Sequence, residues 1–420
     1  MGNILLHTPE GVRDIYNSEC KKKQVLKSVL YSTMESYGYD EIQTPTFEFF
    51  DIFSREIGTT PSKDLYKFFD KDGETLVLRP DMTPSVARCV AKYYMDEKKP
   101  LRFFYLGNTF VNNHGSYQGR LNETTQIGAE FMGDPGVEAE VEIVALICDC
   151  LKKSGLTEFQ ISIGQVDFFK SILDSCSIEP EDEAGLRELI SKKNFFGVEE
   201  FLEEKHFPDN VKEIFKRLPN MFGTVDVLQE AKSLTGDKRA IAAIERLEQL
   251  YDRLCVYGME KFVSFDLGML SKYKYYTGII IKAYTYGLGE PIVTGGRYDR
   301  LLSSFGKDCA AVGFVIGIDQ LMLALSRQKI DIPTKKNNVI LQYGRDSYGD
   351  AVKLAMRLRD SGINVKLLDL SIDHCEYNND PDISYAIVLD KGCKLVDMTG
   401  GDMKKVTEED LFKILDGIRG

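Results

Sequence analysis

Apolar positions along the chain follow two periods, and the boundaries between them outline the fold. Val25, Leu26, Val29, Leu30 and Met34 recur at helical spacing, which predicts a helix from about Ser18 to Ser36, closed by Tyr37-Gly38. Pro45 then breaks an extended approach from the aromatic run Thr46-Phe47-Glu48-Phe49-Phe50. Strands are predicted at Thr75–Leu78, Arg102–Phe110, Thr124–Met132, Phe159–Gly164, Lys261–Leu267 and Tyr275–Thr285, several of them alternating with period two. Most are expected to be antiparallel. The apolar stretch Val141 to Leu151 reads as a further helix.

From about Phe168 to Tyr257 the chain becomes charged and helical with no convincing strand, as in Glu181–Lys192, Val198–Glu204 and Lys238–Leu254. This predicts a helical insertion over about 168–257. Gln328 to Asn338, polar and marked by Pro333, reads as a linker between a first domain over 1–327 and a second over 338–420. The second is predicted as a small alternating module: strand Val339–Gln342, helix Ser347–Arg359, strands Val365–Leu368 and Tyr385–Leu389, and helix Glu408–Ile418. Strands joined by short turns, with helices gathered elsewhere, give an α+β fold class: an antiparallel sheet flanked by helices.

At 420 residues the chain can bury more than one core. No run of eighteen apolar residues predicts a membrane span, and Met1 to Pro9 has no secretory pattern, so a cytoplasmic location is expected. Nine cysteines then read as reduced thiols. The close pair Cys148 and Cys150 lies in the apolar helix, without the CxxC or clustered histidines a zinc site needs. A net charge of -12 weighs against binding a polyanion such as tRNA.

Generic catalytic patterns are missing. Neither a P-loop nor a G-x-G-x-x-G stands between a strand and a helix. The pair Gly295-Gly296 fits a tight turn or a close backbone approach better than a phosphate cradle. The four histidines, His7, His114, His206 and His374, have no nucleophile nearby and read as surface residues.

Several segments taken in order resemble class II aminoacyl-tRNA synthetases, in particular the histidyl enzymes and their non-synthetase relatives. Pro9-Glu10-Gly11-Val12-Arg13-Asp14 is similar to the amino-terminal signature of that family, and Pro45 to Glu48 to its dimer-forming first motif. Leu78-Arg79-Pro80-Asp81-Met82-Thr83 resembles the loop that receives the amino acid. Gln118 to Leu121 and Gln126 to Glu130 resemble the second motif, and Tyr275-Tyr276-Thr277-Gly278 the histidine-specific segment. Gly295–Asp299 and Gly313 to Asp319 resemble the region ending in the third motif. The match spans about three quarters of the chain.

The resemblance implies a pocket for free L-histidine. Asp81 would face the ammonium, Thr83 and Gln126 would complete the α-amino shell, and Glu130 and Tyr276 would meet the imidazole with Tyr275 packed alongside. Arg120 is the candidate partner for the carboxylate or else a structural ion pair. The departures concern ATP. Where the second motif of a synthetase has Phe-Arg-x-Glu, this chain has Phe110-Val111-Asn112-Asn113; the third-motif arginine is replaced by Gln320, and the arginine before the tyrosine pair by Ser271. Losing three charge-assisted contacts would cost roughly 4–9 kcal/mol of transition-state stabilisation, so adenylation should be negligible.

A synthetase-like chain that keeps the amino-acid pocket and loses the ATP clamp resembles the regulatory-subunit family of ATP phosphoribosyltransferase. That resemblance implies no catalytic residues, no cofactor and no metal in this chain. It also implies feedback by L-histidine, a short catalytic subunit as partner, and a homodimer within a larger hetero-oligomer. A divergent histidyl-tRNA synthetase and a tRNA-binding accessory protein are the alternatives. Residues 338–420 resemble a shortened anticodon-binding domain, whose acidic segment Asp373 to Asp382 suits phosphate contact poorly.

Overall fold

The computed structural model describes residues 6–53, 60–112, 121–176, 178–270, 275–334, 338–371, 383–390, 392–398 and 402–416. Arg120, Ser271, His114, His374 and the segment Asp373 to Asp382 lie outside them. The chain divides into two compact units, Met1–Ile15 with Lys23–Ile332, and Pro333–Gly420 with Tyr16–Lys22.

In chain order the first unit contains α1 (Asn17–Ser36) from Lys23 onward, β1 (Asp40–Glu41), β2 (Phe47–Phe49), β3 (Lys67–Phe69), β4 (Thr75–Leu78), α2 (Thr83–Tyr93), β5 (Leu101–Phe110), β6 (Glu123–Met132), α3 (Val137–Lys153) and β7 (Phe159–Gln165). Six helices follow: α4 (Val166–Asp174), α5 (Pro180–Ser191), α6 (Phe195–Glu204), α7 (Asp209–Arg217), α8 (Asp226–Ser233) and α9 (Lys238–Tyr257), with the two-residue β8 (Phe222–Gly223) between α7 and α8. The chain then returns to the sheet through β9 (Val263–Asp266), β10 (Ile279–Thr285), β11 (Val293–Arg297) and β12 (Ala311–Gly317), and ends the unit with α10 (Ile318–Arg327).

The main sheet has nine strands in the order β1-β5-β6-β12-β11-β10-β7-β9-β8. It is mostly antiparallel, as expected, and the correction concerns two parallel pairs: β1 runs parallel to β5, and β7 parallel to β9. Both parallel pairs lie toward the margins, and the centre from β5 through β10 is antiparallel. Two further corrections concern β8, a short strand within the helical stretch, and β10, which starts at Ile279 because Tyr275–Gly278 approaches the sheet as a turn.

One face of the sheet packs Phe104, Ile127, Ala129, Phe131, Val312, Phe314 and Ile316 against α3 and the helices beyond it. The other face carries Phe103, Tyr105, Met132, Tyr298 and Ala311, covered by Met82, Val86 and Val90 of α2 and its approach. The α3 helix is buried almost all round, from Ile143 to Leu151, which explains why its apolar pattern is unbroken rather than amphipathic. Burial there pushes the Cys148 thiol up to about 12, so it stays protonated and packs as a small apolar group. Cys150, buried beside it, is raised too.

The second unit has β13 (Asn338–Tyr343), α11 (Tyr348–Asp360), β14 (Asn364–Asp369), β15 (Ile383–Leu389), β16 (Cys393–Asp397), β17 (Met403–Lys405) and α12 (Glu408–Asp416). Its five strands run β14-β13-β15-β16-β17, with β13 parallel to both neighbours. Val339, Leu341 and Ile387 pack on Leu354, Leu358, Leu411 and Leu415 of the two helices. Gly362 turns the chain out of α11 at φ +81°, a conformation that glycine adopts without steric cost. No helix among the described residues is long and apolar enough to cross a membrane.

Candidate functional site

A cavity of about 720 Å³ opens on the α2 side of the main sheet. Its floor follows from period-two alternation. Gln126, Gly128 and Glu130 point the same way from β6, and the cross-strand partners of Glu130 are Phe103 on one side and Gly313 on the other. Glycine at 313 is required by a close approach: a Cβ there would stand 1.7 Å from Glu130 Oε2. Gly296, its neighbour on β11, leaves room for the Tyr276 ring, whose Cε1 would lie 2.7 Å from an added Cβ. The glycine pair therefore serves close backbone approach within a strand.

Glu130 is the centre of the cavity and is 1% exposed. Thr83 Oγ1 donates to its Oε1 at 2.7 Å, Tyr105 Oη approaches the same oxygen at 3.4 Å, and Tyr298 Oη donates a short hydrogen bond to Oε2. Burial pushes the carboxyl up to about 8, against the three hydroxyls that lower it, and the nearby Asp81 charge pushes the same way. Tyr298 and Tyr105, buried beside this acid, are held well above the usual phenol range. The floor is thus an acid held in a dry, hydroxyl-lined pocket and able to present either protonation state near neutral pH.

Around it, Asp81 lies at the approach to α2 with its Oδ1 accepting from the Thr83 amide at 3.2 Å. Tyr275 packs against Tyr276 with ring centroids 4.8 Å apart, and edge-on to Tyr298 at 6.0 Å. Asp81, Thr83, Gln126, Glu130, Tyr275 and Tyr276 all line the one cavity. Arg120 lies outside the described residues. Thr83, expected beside the α-amino group, donates its hydroxyl to Glu130.

Two participants escaped the sequence reading, Tyr298 and Tyr105. Both are buried, and a buried tyrosine in an apolar strand looks like core. The available signal was register: Tyr105 faces Gly128 across the strand pair, and its hydroxyl lies where a Gly128 side chain would sit.

The far end of the cavity differs in chemistry. Val111, Asn122, Thr124, Glu290 and Gln320 line it, and among the described residues no lysine or arginine belongs to the lining. Val111 and Gln320 stand at the two positions where the resemblance to synthetases implies phosphate-holding arginines. Asp319, the residue before Gln320, is engaged by Lys23 Nζ at 2.7 Å and by the Thr125 amide at 2.7 Å. Arg297, in the glycine-rich motif, points away from the cavity and is 4% exposed, its Nε donating to Glu140 at 2.6 Å. Arg79 is a structural residue as well, donating to the carbonyls of Asn108 and Thr44 at 2.9 and 2.8 Å. His7 and His206 are exposed.

A main sheet of this topology, interrupted by a helical insertion and carrying an acidic pocket on one face, defines a class II synthetase-type core. The histidyl-tRNA synthetase family model matches residues 11–321. A histidyl-tRNA synthetase from Nostoc shares the fold over 98% of this chain and 99% of its own, with a TM-score of 0.82 at 20% identity. Relatives at higher identity carry another name. The ATP phosphoribosyltransferase regulatory subunit of Ruminiclostridium cellulolyticum is 40% identical over 99% of both chains. That of Acetivibrio thermocellus is 37% identical over 98% of this chain and its own full length. A Bacillus halodurans structure described as an ATP phosphoribosyltransferase regulatory subunit/histidyl-tRNA synthetase has a TM-score of 0.81 and 31% identity, covering 90% of this chain and 96% of that one. The chain belongs to the histidyl-tRNA synthetase family and, within it, to the ATP phosphoribosyltransferase regulatory subunits. Because these relatives match over nearly their whole length, the second unit is a part they share.

Proposed function

We propose that this chain is a non-catalytic regulatory subunit that binds free L-histidine in the Glu130 cavity and transmits its occupancy to a short catalytic ATP phosphoribosyltransferase subunit. The observation that carries the reading is the contrast within one cavity: Glu130 and five other residues suited to histidine line it together, while Val111 and Gln320 stand at the two described positions where a synthetase grips phosphate. An ammonium, a carboxylate and two ring nitrogens each need a partner once buried. Asp81 and Gln126 suit the α-amino group, Glu130 and Tyr276 the imidazole, and Arg120 is the candidate for the carboxylate. Phosphoryl chemistry needs preorganised cations at the developing charge, and the described lining has none.

A homodimer is supported by the three-stranded sheet β2-β4-β3, which leaves Phe47 and Phe49 more than half exposed and Phe69 at 73%. Apolar side chains clustered at that exposure mark an interaction surface. Residues 338–420 are read as a shortened anticodon-binding-like module, retained as a protein-contact surface rather than for tRNA.

Regulation requires histidine to bind two states of the complex unequally. The test is to assay a short-form catalytic subunit alone and with this chain over a histidine titration. Histidine-dependent inhibition that appears only with this chain is expected, and a catalytic subunit equally sensitive in its absence contradicts the reading.

A further inference from the structure

The cavity is tied to the helical insertion through a chain of ion pairs centred on the buried Glu140. Arg297 precedes Tyr298, which holds Glu130, and its carbonyl accepts from the Thr277 amide at 2.8 Å, next to Tyr276. Asp299, on the other side of Tyr298, binds Thr277 Oγ1 through its amide at 3.0 Å. Both tyrosine segments of the pocket thus hang on the backbone around Arg297.

Its guanidinium reaches out of the pocket to Glu140 on α3, a carboxylate with no exposure at all. The same carboxylate accepts from Arg246 Nε, 3.0 Å from each oxygen. Arg246 belongs to α9, the last helix of the insertion, and its Nη2 also donates to the Pro135 carbonyl at 2.8 Å. On either side of it along α9, Glu245 and Glu248 hold Lys232 of α8 at 3.0 and 3.3 Å.

We propose that Glu140, shared between Arg297 and Arg246, couples ligand occupancy of the Glu130 cavity to the packing of the helical insertion. A buried ion pair is weak evidence for stability, and replacing it with apolar side chains is often neutral or better, so one spanning two elements calls for another role. Coupling needs an element that both sites bias. Glu140 is such an element: Arg297 holds one of its oxygens and Arg246 straddles both, so a shift of the backbone through Arg297 and Tyr298 changes the hold on α9. The inference rests on histidine being the ligand.

Hydrogen exchange of the full chain with and without L-histidine separates the two ideas. Protection of β6 reports ligand binding, and protection of α8 reports the insertion. In the wild-type chain histidine should slow exchange in both, with about a fivefold effect in α8, the lower end of ordinary coupling. Arg246→Met leaves Glu140 paired with Arg297; it should keep the β6 response and reduce the α8 response below about twofold. Arg246→Lys, which retains the charge without the fork, should restore part of it and serves as the comparison if the methionine variant does not fold. Wild-type protection confined to β6, or an unchanged α8 response in Arg246→Met, would overturn the coupling alone. Absence of protection at β6 would overturn the ligand reading and the coupling with it.

Discussion

The two ends of the cavity lie on one fold and differ in kind. At the Glu130 end each buried polar group is met by another: the carboxyl by Thr83 and Tyr298, the strand geometry by Gly128 and Gly313. At the Val111 end the lining is neutral or acidic, and the buried Gln320 Oε1 has no hydrogen-bond partner. A pocket whose members depend on one another cannot drift without loss, whereas a phosphate clamp built from separate cations can be dismantled one residue at a time. Binding and chemistry are therefore separable in this fold, and the difference can be tested at both ends.

The largest effect is expected from the Glu130 proton. Burial pushes its carboxyl up to about 8 in the folded chain, above the ordinary value of 4.5 it keeps when unfolded. The folded chain therefore holds the proton more tightly. That contribution to stability is complete below about pH 4.5 and is lost as pH rises through about 8, a difference of several kcal/mol. Chemical denaturation of the ligand-free chain between pH 5 and 9 should show this loss, and Glu130→Gln should flatten it. Equal slopes for the two proteins would mean that the acid is not buried as described.

Next in size is Gly313→Ala, which places a methyl group where Glu130 Oε2 lies. Overpacking of this kind costs about 1–3 kcal/mol, so histidine affinity measured by calorimetry should fall by up to about a hundredfold. Tyr298→Phe removes one hydrogen bond to a buried acid and should weaken binding about tenfold. At the opposite end, Gln320→Leu should change histidine affinity by less than about twofold, since it touches no group assigned to the ligand. A large loss from Gln320→Leu would erase the contrast between the two ends.

Helices such as α1, α9 and α11 and strands such as β5, β6 and β7 were legible because their apolar positions keep a period, while α2 and α10, which carry Thr83 and Gln320, were not marked. The strands β11 and β12 were not: Ala311 to Gly317 is apolar or glycine throughout, being buried on both faces, and so it shows no alternation. Of the two readings of Gly295-Gly296, a tight turn or a close backbone approach, the second holds, inside a strand, and Gly313 serves the same purpose on β12. The site was legible only through the order and spacing of family-like segments, because its chemistry is assembled from β6, α2, β11 and the turn before β10. Tyr105 and Tyr298 were hidden by their burial, since nothing in composition separates a tyrosine that fills a core from one that holds an acid.

The central claim is that histidine binding survives without adenylation. The most direct measurement titrates the purified chain with L-histidine by calorimetry, then adds ATP and follows histidine-dependent pyrophosphate exchange. Saturable binding with no exchange above background is the predicted result, and exchange at rates typical of a synthetase would contradict the account.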